Sequence, residues 1–395
     1  MRPVGVGRTV QQVEGLSHFL KFRIVKMVEN RLLPYGVKDY YPSEVRKLNL
    51  ILSSAEKELT LWGYEEIKFP TLEYKKLFET TLGENLKDGF LLKECEKGEI
   101  LALRYDFTPQ ILRFVLHSKE KIFPLRVYYK GRTFRTNREL WEELELGFEL
   151  VGAQTVEADA EVLAIVKGIL KRLKVKDYTL VVGHRVAYES LVEKFGKFAV
   201  DKKRFSPTLK DFLKTYPLAG EKWQNLPLPQ GVKEELSTLL DLLKSYQIAE
   251  ENILFSPSLK PEREYHSGLY FKVVGKSGTL AVGGRYNRLF ERFGESLPAV
   301  GGGIKINNLL EVVSKRATPP KRVYIIDTTP SKGEGWKLAK LLREKGIIAE
   351  RDIVTRDPHR SVKVAKEKGY GEIIVIGEKI EGTLSAEEFL KRLEG

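Results

Sequence analysis

The chain has 395 residues, 42% of them apolar, and 67 Lys and Arg against 54 Asp and Glu give a formal net charge of +13. That length suits two or three domains with a sizeable core. A single cysteine, Cys95, excludes an internal disulfide and a cysteine-based metal site and fits a reducing, cytoplasmic compartment. No apolar run approaches the roughly 20 residues that span a bilayer, so no membrane partner is expected. The basic residues are interspersed with acidic ones, and the positive balance reads as a solvated surface rather than a nucleic-acid footprint.

Residues 1–32 form an extension outside the main fold. Apolar residues recur at helical spacing over 10–28, and no secretory pattern is present. Gly5-Val6-Gly7 is not a phosphate loop, because no strand precedes it. The globular part begins at Pro34-Tyr35-Gly36. Ser43 is the expected N-cap of a long amphipathic helix to about Trp62, with Ile51, Leu52, Ala55, Leu59 and Leu61 on its apolar face. Strands are expected at 64–70, 90–94 and 101–103, the last two paired across Lys97-Gly98, and then a helix over 110–117. Two β-rich stretches, 125–134 and 144–151, precede a helix over 159–173.

Residues 187–247 read as a mostly helical insertion, broken by the Pro-rich segment 226–230. Strands return at 269–274 and 280–282. Gly301-Gly302-Gly303 then leads into a helix over 307–313. Thr318-Pro319-Pro320 is the clearest linker. Beyond it, strands at 323–327, 347–352 and 372–376 alternate with helices at 336–345, 361–368 and 386–393, as in a small parallel α/β domain. The whole is an α+β chain: a core over 33–317 built on an antiparallel sheet with flanking helices, then an α/β domain over 321–395.

Four stretches carry chemistry. In Leu103-Arg104-Tyr105-Asp106-Phe107-Thr108-Pro109-Gln110 a carboxylate and a hydroxyl end a strand, placed either to hold an ammonium group or to cap the next helix. Gly131-Arg132-Thr133-Phe134-Arg135 ends in a guanidinium suited to a carboxylate or phosphate, and Glu145-Leu146-Gly147-Phe148-Glu149 follows. Glu264-Tyr265-His266-Ser267-Gly268 precedes Gly283-Gly284-Arg285, whose paired glycines allow close backbone approach. Pro298-Ala299-Val300-Gly301 opens the last core segment. Together they describe a polar pocket on an antiparallel sheet. The five histidines are scattered, and no metal-ligand spacing, P-loop, HExxH, GxSxG or CxxC occurs; no metal or cofactor is expected.

Taken in order, these stretches resemble histidyl-tRNA synthetase from about Pro34 onward. Residues 132–152 look like the family's motif 2, 265–271 and 283–289 like its histidine-specific motifs, 298–310 like its motif 3, and the tail after Pro320 like its anticodon-binding domain. The string from Leu103 to Arg113 is closer still to the synthetase-like branch that regulates ATP phosphoribosyltransferase. The resemblance implies a class II synthetase-like core. It also implies a histidine site in which Asp106 and Thr108 hold the ammonium, Arg135 faces the carboxylate, and Glu149 and Tyr265 face the imidazole. Gly283, Gly284 and Arg285 would line the wall. A buried ion pair between Glu149 and Arg285 is the structural alternative. Glu145 stands where the family has Gln, and His266 where it often has a second Tyr.

The departures fall on the nucleotide side. Asn137 stands at the Glu of the family's FRxE pair, followed by a short acidic loop. Pro261 aligns with the catalytic Arg, and Asn308 with the ATP-contacting Arg. If each lost donor costs about 3 kcal/mol of transition-state stabilisation, adenylation falls by many orders of magnitude. Arg263, two residues from Pro261, and Arg138, beside the motif 2 gap, are the cations that a local slip would bring in.

The expectation is therefore a non-catalytic regulatory subunit that partners the short-form ATP phosphoribosyltransferase catalytic subunit, with histidine as effector. A homodimer within a hetero-oligomer is implied, with no tRNA duty. A working histidyl-tRNA synthetase, or a tRNA- or amino-acid-binding paralogue, remains the alternative.

Overall fold

The computed structural model describes residues 33–394 apart from 83–86, 119–121, 198–199, 201–213, 249–251, 264, 315–320 and 355. The expected helix at 10–28 and the linker at 318–320 lie outside the described residues. The chain divides into two compact units, Met1–Lys315 and Arg316–Gly395.

The first unit opens with α1 (Pro42–Leu61). Its start is one residue before the expected cap: Pro42 takes the first helical turn, where its missing N–H costs nothing. Glu44, rather than Ser43, satisfies the entry by accepting the Tyr41 N–H at 2.9 Å. Leu48, Ile51, Ala55 and Leu59 are buried on one stripe, and fully burying each large side chain there contributes about 1.5–3 kcal/mol.

The succeeding elements are β1 (Glu65–Glu66), β2 (Leu72–Tyr74), α2 (Lys75–Leu82), β3 (Leu91–Lys93), β4 (Ile100–Leu103), α3 (Thr108–His117), β5 (Leu125–Phe134), β6 (Glu142–Val151), α4 (Val156–Arg172), β7 (Tyr178–His184) and α5 (Arg185–Phe195). After them come β8 (Tyr216–Pro217), α6 (Gln230–Ser245), β9 (Ile253–Phe255), β10 (Leu269–Gly275), β11 (Gly278–Arg285), α7 (Asn287–Glu291), β12 (Ala299–Lys305) and α8 (Ile306–Val312). Only Glu65–Glu66 of the expected strand at 64–70 pairs, in parallel with β5. Gly301–Gly303 lies inside β12, not in a loop before a helix.

Nine strands form one sheet in the order β1-β5-β6-β12-β11-β10-β7-β9-β8. Its central ladders, β5 through β7, are antiparallel. One face buries the large core, where Leu146, Phe148 and Leu150 of β6 meet Ile51, Leu59, Ile165 and Ile169 of α1 and α4. Among its described residues the insertion is mostly helical, but it is not a separate body. Trp223, Leu236, Leu239 and Leu243 join that same core, and Tyr216–Pro217 extends the sheet beside β9. The opposite face is covered by α3 and α7 through Phe107, Ile111, Leu112, Leu289 and Phe290. Between these two helices the sheet surface is left open to a pocket.

The second unit has three parallel strands, β13 (Arg322–Asp327), β14 (Ile348–Arg351) and β15 (Glu372–Ile376), in the order β14-β13-β15. Alternate residues of β13 face opposite layers, as strand geometry requires. Val323 and Ile325 pack with α9 (Gly333–Glu344) and α11 (Ala386–Glu394), whereas Tyr324 and Ile326 pack with α10 (Pro358–Glu367). Among the described residues no helix is long and apolar enough to cross a membrane.

Candidate functional site

The pocket floor is a register of residues from four strands. Glu145, Gly147 and Glu149 share one face of β6, being two residues apart. Across the ladder they pair with Lys305, Gly303 and Gly301 of β12, and Gly301 pairs with Gly284 of β11. Tyr129 of β5 pairs with Gly147. The glycines make the depth. A Cβ at Gly301 would lie 1.8 Å from Glu149 Oε2, and one at Gly147 would lie 2.4 Å from the Tyr129 ring. The cavity is small, about 80 Å³, and its lining includes Asp106, Thr108, Glu145, Glu149, Arg263, Tyr265, His266, Gly283, Gly284, Tyr286 and Lys305.

The two ends of this cavity differ in charge. At the Glu149 end, the Tyr129 hydroxyl donates to Oε1 at 2.8 Å and the Tyr286 hydroxyl to Oε2 at 2.6 Å. No cation pairs with Glu149 among the described residues. Burial pushes its carboxyl up to about 7, against the pull of the two hydroxyls.

At the other end, five side chains alternate in sign. Lys305 contacts Glu145. Glu145 accepts from Arg135 Nη1 at 3.3 Å, Arg135 Nη2 lies 3.9 Å from Asp106, and Asp106 contacts Arg263. Burial alone would raise the Glu145 carboxyl, but Lys305 and Arg135 outweigh it and hold it well below the usual range. Asp106 is likewise held low by Arg263 and Arg135 against its burial.

Several sequence-predicted residues line this cavity: Asp106, Thr108, Glu145, Glu149, Tyr265, His266, Gly283 and Gly284. The Thr108 N–H donates to Asp106 Oδ1 at 3.0 Å, and the Tyr265 hydroxyl donates to Thr108 Oγ1 at 3.3 Å. The N-cap position of α3 is Phe107, without a side-chain cap, so Asp106 and Thr108 line the pocket and neither is the helix's cap. Arg135 does not itself line the cavity; it is 2% exposed beside the lining carboxylates Asp106 and Glu145, its Nε donating to the Tyr105 carbonyl at 2.8 Å. Its Nη2 is buried without a hydrogen-bond partner among the described residues. Such an open donor next to an occupied acceptor is what a carboxylate ligand would satisfy. His266 stacks on Tyr270 with 5.5 Å between centroids. Burial and the nearby Arg263 lower its pKa to about 3, so the ring is neutral.

Arg285 is a correction. It follows Gly284 on β11, so alternation turns its side chain to the other face of the sheet. There it pairs with Asp159 of α4 at 2.6 Å and donates to the carbonyls of Ala153 and Thr155 at 2.9 and 2.8 Å. A buried ion pair exists, as the structural alternative had it, but with Asp159 in place of Glu149.

Sequence reasoning missed Tyr129, Tyr286 and Lys305. The signal for Lys305 was its even spacing from Gly301 and Gly303, readable once that stretch is taken as strand. Arg263, noted for its nearness to Pro261, reaches the pocket. The nucleotide-side departures do not line it: Asn137 is exposed and donates to Asp88 at 2.8 Å, and Asn308 donates to the Thr279 carbonyl at 2.7 Å, at the far end of β11. Arg138 is exposed. Among the described residues no cluster of His, Cys, Asp and Glu is arranged to hold a metal ion.

The family model for histidyl-tRNA synthetase matches residues 36–212 and 209–309. The chain belongs to the histidyl-tRNA synthetase family. Within that family, it is 32% identical over 370 residues to the ATP phosphoribosyltransferase regulatory subunit of Aquifex aeolicus, spanning 87% of this chain and 92% of that protein. It is 27% identical over 390 residues to the histidine–tRNA ligase of Methanocaldococcus jannaschii, spanning 88% and 92%. Among solved structures, one described as an ATP phosphoribosyltransferase regulatory subunit/histidyl-tRNA synthetase from Bacillus halodurans matches with a TM-score of 0.75 at 25% identity, over 88% of this chain and 99% of that one. The apo histidyl-tRNA synthetase of Staphylococcus aureus shares the fold, with a TM-score of 0.68 at 24% identity over 87% and 90%. The class II synthetase-like fold expected from the motifs is therefore the fold of this chain.

Proposed function

We propose that this chain is a non-catalytic regulatory subunit of ATP phosphoribosyltransferase, required by a short-form catalytic partner for the first step of histidine biosynthesis and for feedback inhibition by histidine. The observation that carries the reading is the state of the pocket's cations. Arg135, Arg263 and Lys305 each face a resident carboxylate. Three positions where the family's nucleotide chemistry places charged side chains hold Asn137, Pro261 and Asn308, none of which lines the cavity. Stabilising charge at an α-phosphate needs uncommitted, preorganised donors, and here each of the three cations is already engaged by a carboxylate.

The amino-acid half supports an effector site. Asp106 and Thr108 would hold the ammonium of histidine, the open Nη2 of Arg135 its carboxylate, and Glu149 its imidazole, assisted by the hydroxyls of Tyr129 and Tyr286. Gly283 and Gly284 would form the wall. The subunit would act in the cytoplasm as a homodimer within a hetero-oligomer.

Two assays test this. The purified chain should give no histidine-dependent ATP–pyrophosphate exchange. Mixed with a short-form catalytic subunit, it should restore histidine-inhibited transfer of phosphoribosyl pyrophosphate onto ATP. Exchange at an ordinary enzymatic rate would instead identify a working synthetase.

A further inference from the structure

Each oxygen of the Asp106 carboxylate, the group placed to take an amine, already has one partner. Its Oδ1 accepts from the Thr108 N–H, and its Oδ2 is taken by Arg263. The two partners are unequally embedded. The Asp106 side chain is 9% exposed and that of Arg263 30%, so the guanidinium reaches in from the rim over a fixed carboxylate. The cavity left beneath, about 80 Å³, has room for about five to eight waters at roughly 10–15 Å³ each. An amine ligand that takes Asp106 Oδ2 therefore competes with Arg263 for it.

We propose that Arg263 is a resident competitor for the amine site, and that it makes occupancy conditional on a ligand bearing a carboxylate together with its ammonium. The inference rests on the reading that this pocket takes a histidine-like amino acid.

The charge balance gives the reason. Arg135, Arg263 and Lys305 outnumber Asp106 and Glu145, and the further rim carboxylate, Glu262, is paired with Lys272. An amine without a carboxylate adds a further cation and leaves the displaced guanidinium unpaired in a partly buried site, a costly state. A zwitterion adds no net charge. Its carboxylate re-pairs Arg263 and meets the open Nη2 of Arg135. Selectivity thus arises from what Arg263 loses when the wrong ligand enters, rather than from a new contact alone. Arg263 is a specificity residue that does nothing to the ligand chemically.

The test is calorimetric titration of the full chain with L-histidine and with histamine, which has the ammonium and ring but no carboxylate. The unmodified chain should bind histidine at least about tenfold more tightly than histamine, the scale on which an unpaired buried charge discriminates. In Arg263→Gln the competitor is gone: histamine binding should strengthen while histidine binding stays or weakens, so the ratio collapses. Arg263→Lys retains a cation and should keep most of the preference. A ratio near one in the unmodified chain, or a Gln variant that changes both affinities in the same proportion, would overturn the proposal while leaving the histidine site standing. If neither ligand binds any of the three proteins, the proposal and the histidine reading fall together.

Discussion

Glu145 and Glu149 sit four residues apart on the same face of one strand, both buried, yet they hold their protons oppositely. Glu145, between Lys305 and Arg135, is kept ionised far into the acid range. Glu149, between two tyrosine hydroxyls, is lifted to about 7. Burial acts on both in the same direction, so the presence or absence of a cation decides the outcome. One small cavity thereby has an ionic end and a nearly neutral hydrogen-bonding end, the two surroundings that the proposed histidine effector would need.

The comparison is broken most severely at Asp106. Asp106→Asn leaves Arg263 and Arg135 facing each other without their shared carboxylate, and removing one partner of a buried pair costs about 3 kcal/mol or more. Urea unfolding should show that loss; a change below about 1 kcal/mol would mean the ionic end is solvated and not a linked chain. A smaller loss, about 1–2 kcal/mol, is expected for Lys305→Met, because Glu145 keeps Arg135 and the apolar stem is replaced. The same variant should raise the Glu145 pKa, visible as a shift of the acid unfolding limb to higher pH.

The neutral end is sharpened by pH. Glu149 is raised in the folded state, so its contribution is fully present below the ordinary Glu value of about 4.3 and is lost as pH rises toward about 7. Stability from this group falls by at most about 1.4 kcal/mol per pH unit in that window. Asp106 and Glu145, held low, run the other way: their contribution is present above the usual carboxylate range and lost as pH falls through their depressed values. Glu149→Gln should flatten the fall between about pH 4 and 7 without moving the acid limb. An unchanged slope would place the proton elsewhere. The smallest effect belongs to Asn137→Ala, outside the cavity on an exposed turn, which should stay within about 0.5 kcal/mol of the parent and leave ligand binding unaltered.

Much of this was legible in the sequence, for reasons that differ by region. The second unit's alternation of strands and helices reads in full, with helix starts missed by up to three residues, because its strands lie in short segments set off by Gly, as at Gly346, Gly371 and Gly377. The first unit misleads where tertiary pairing overrides local pattern. Residues 64–70 alternate like a strand, but the pairing with β5 covers only Glu65 and Glu66 and ends with the Ile67 N–H on the Tyr128 carbonyl. Residues 187–247 look like a free-standing helical insertion because the chain conceals that Trp223 and Leu236 share a core with α1.

In the site, carboxylates and glycines stood out by type, whereas Tyr129, Tyr286 and Lys305 carry no type signal. They are functional candidates only through the register of β5 and β12 and the turn after β11. Arg285 failed for the converse reason. It stands beside Gly284 in the motif, and a one-residue step along a strand crosses the sheet.

That crossing has a mechanical outcome. With its guanidinium clamped to Asp159 and to two carbonyls leading into α4, Arg285 bolts the rear wall of the pocket to the longest-buried helix of the core. That wall is thus anchored on its far side, whereas Arg263, 30% exposed across the pocket, is held by far less.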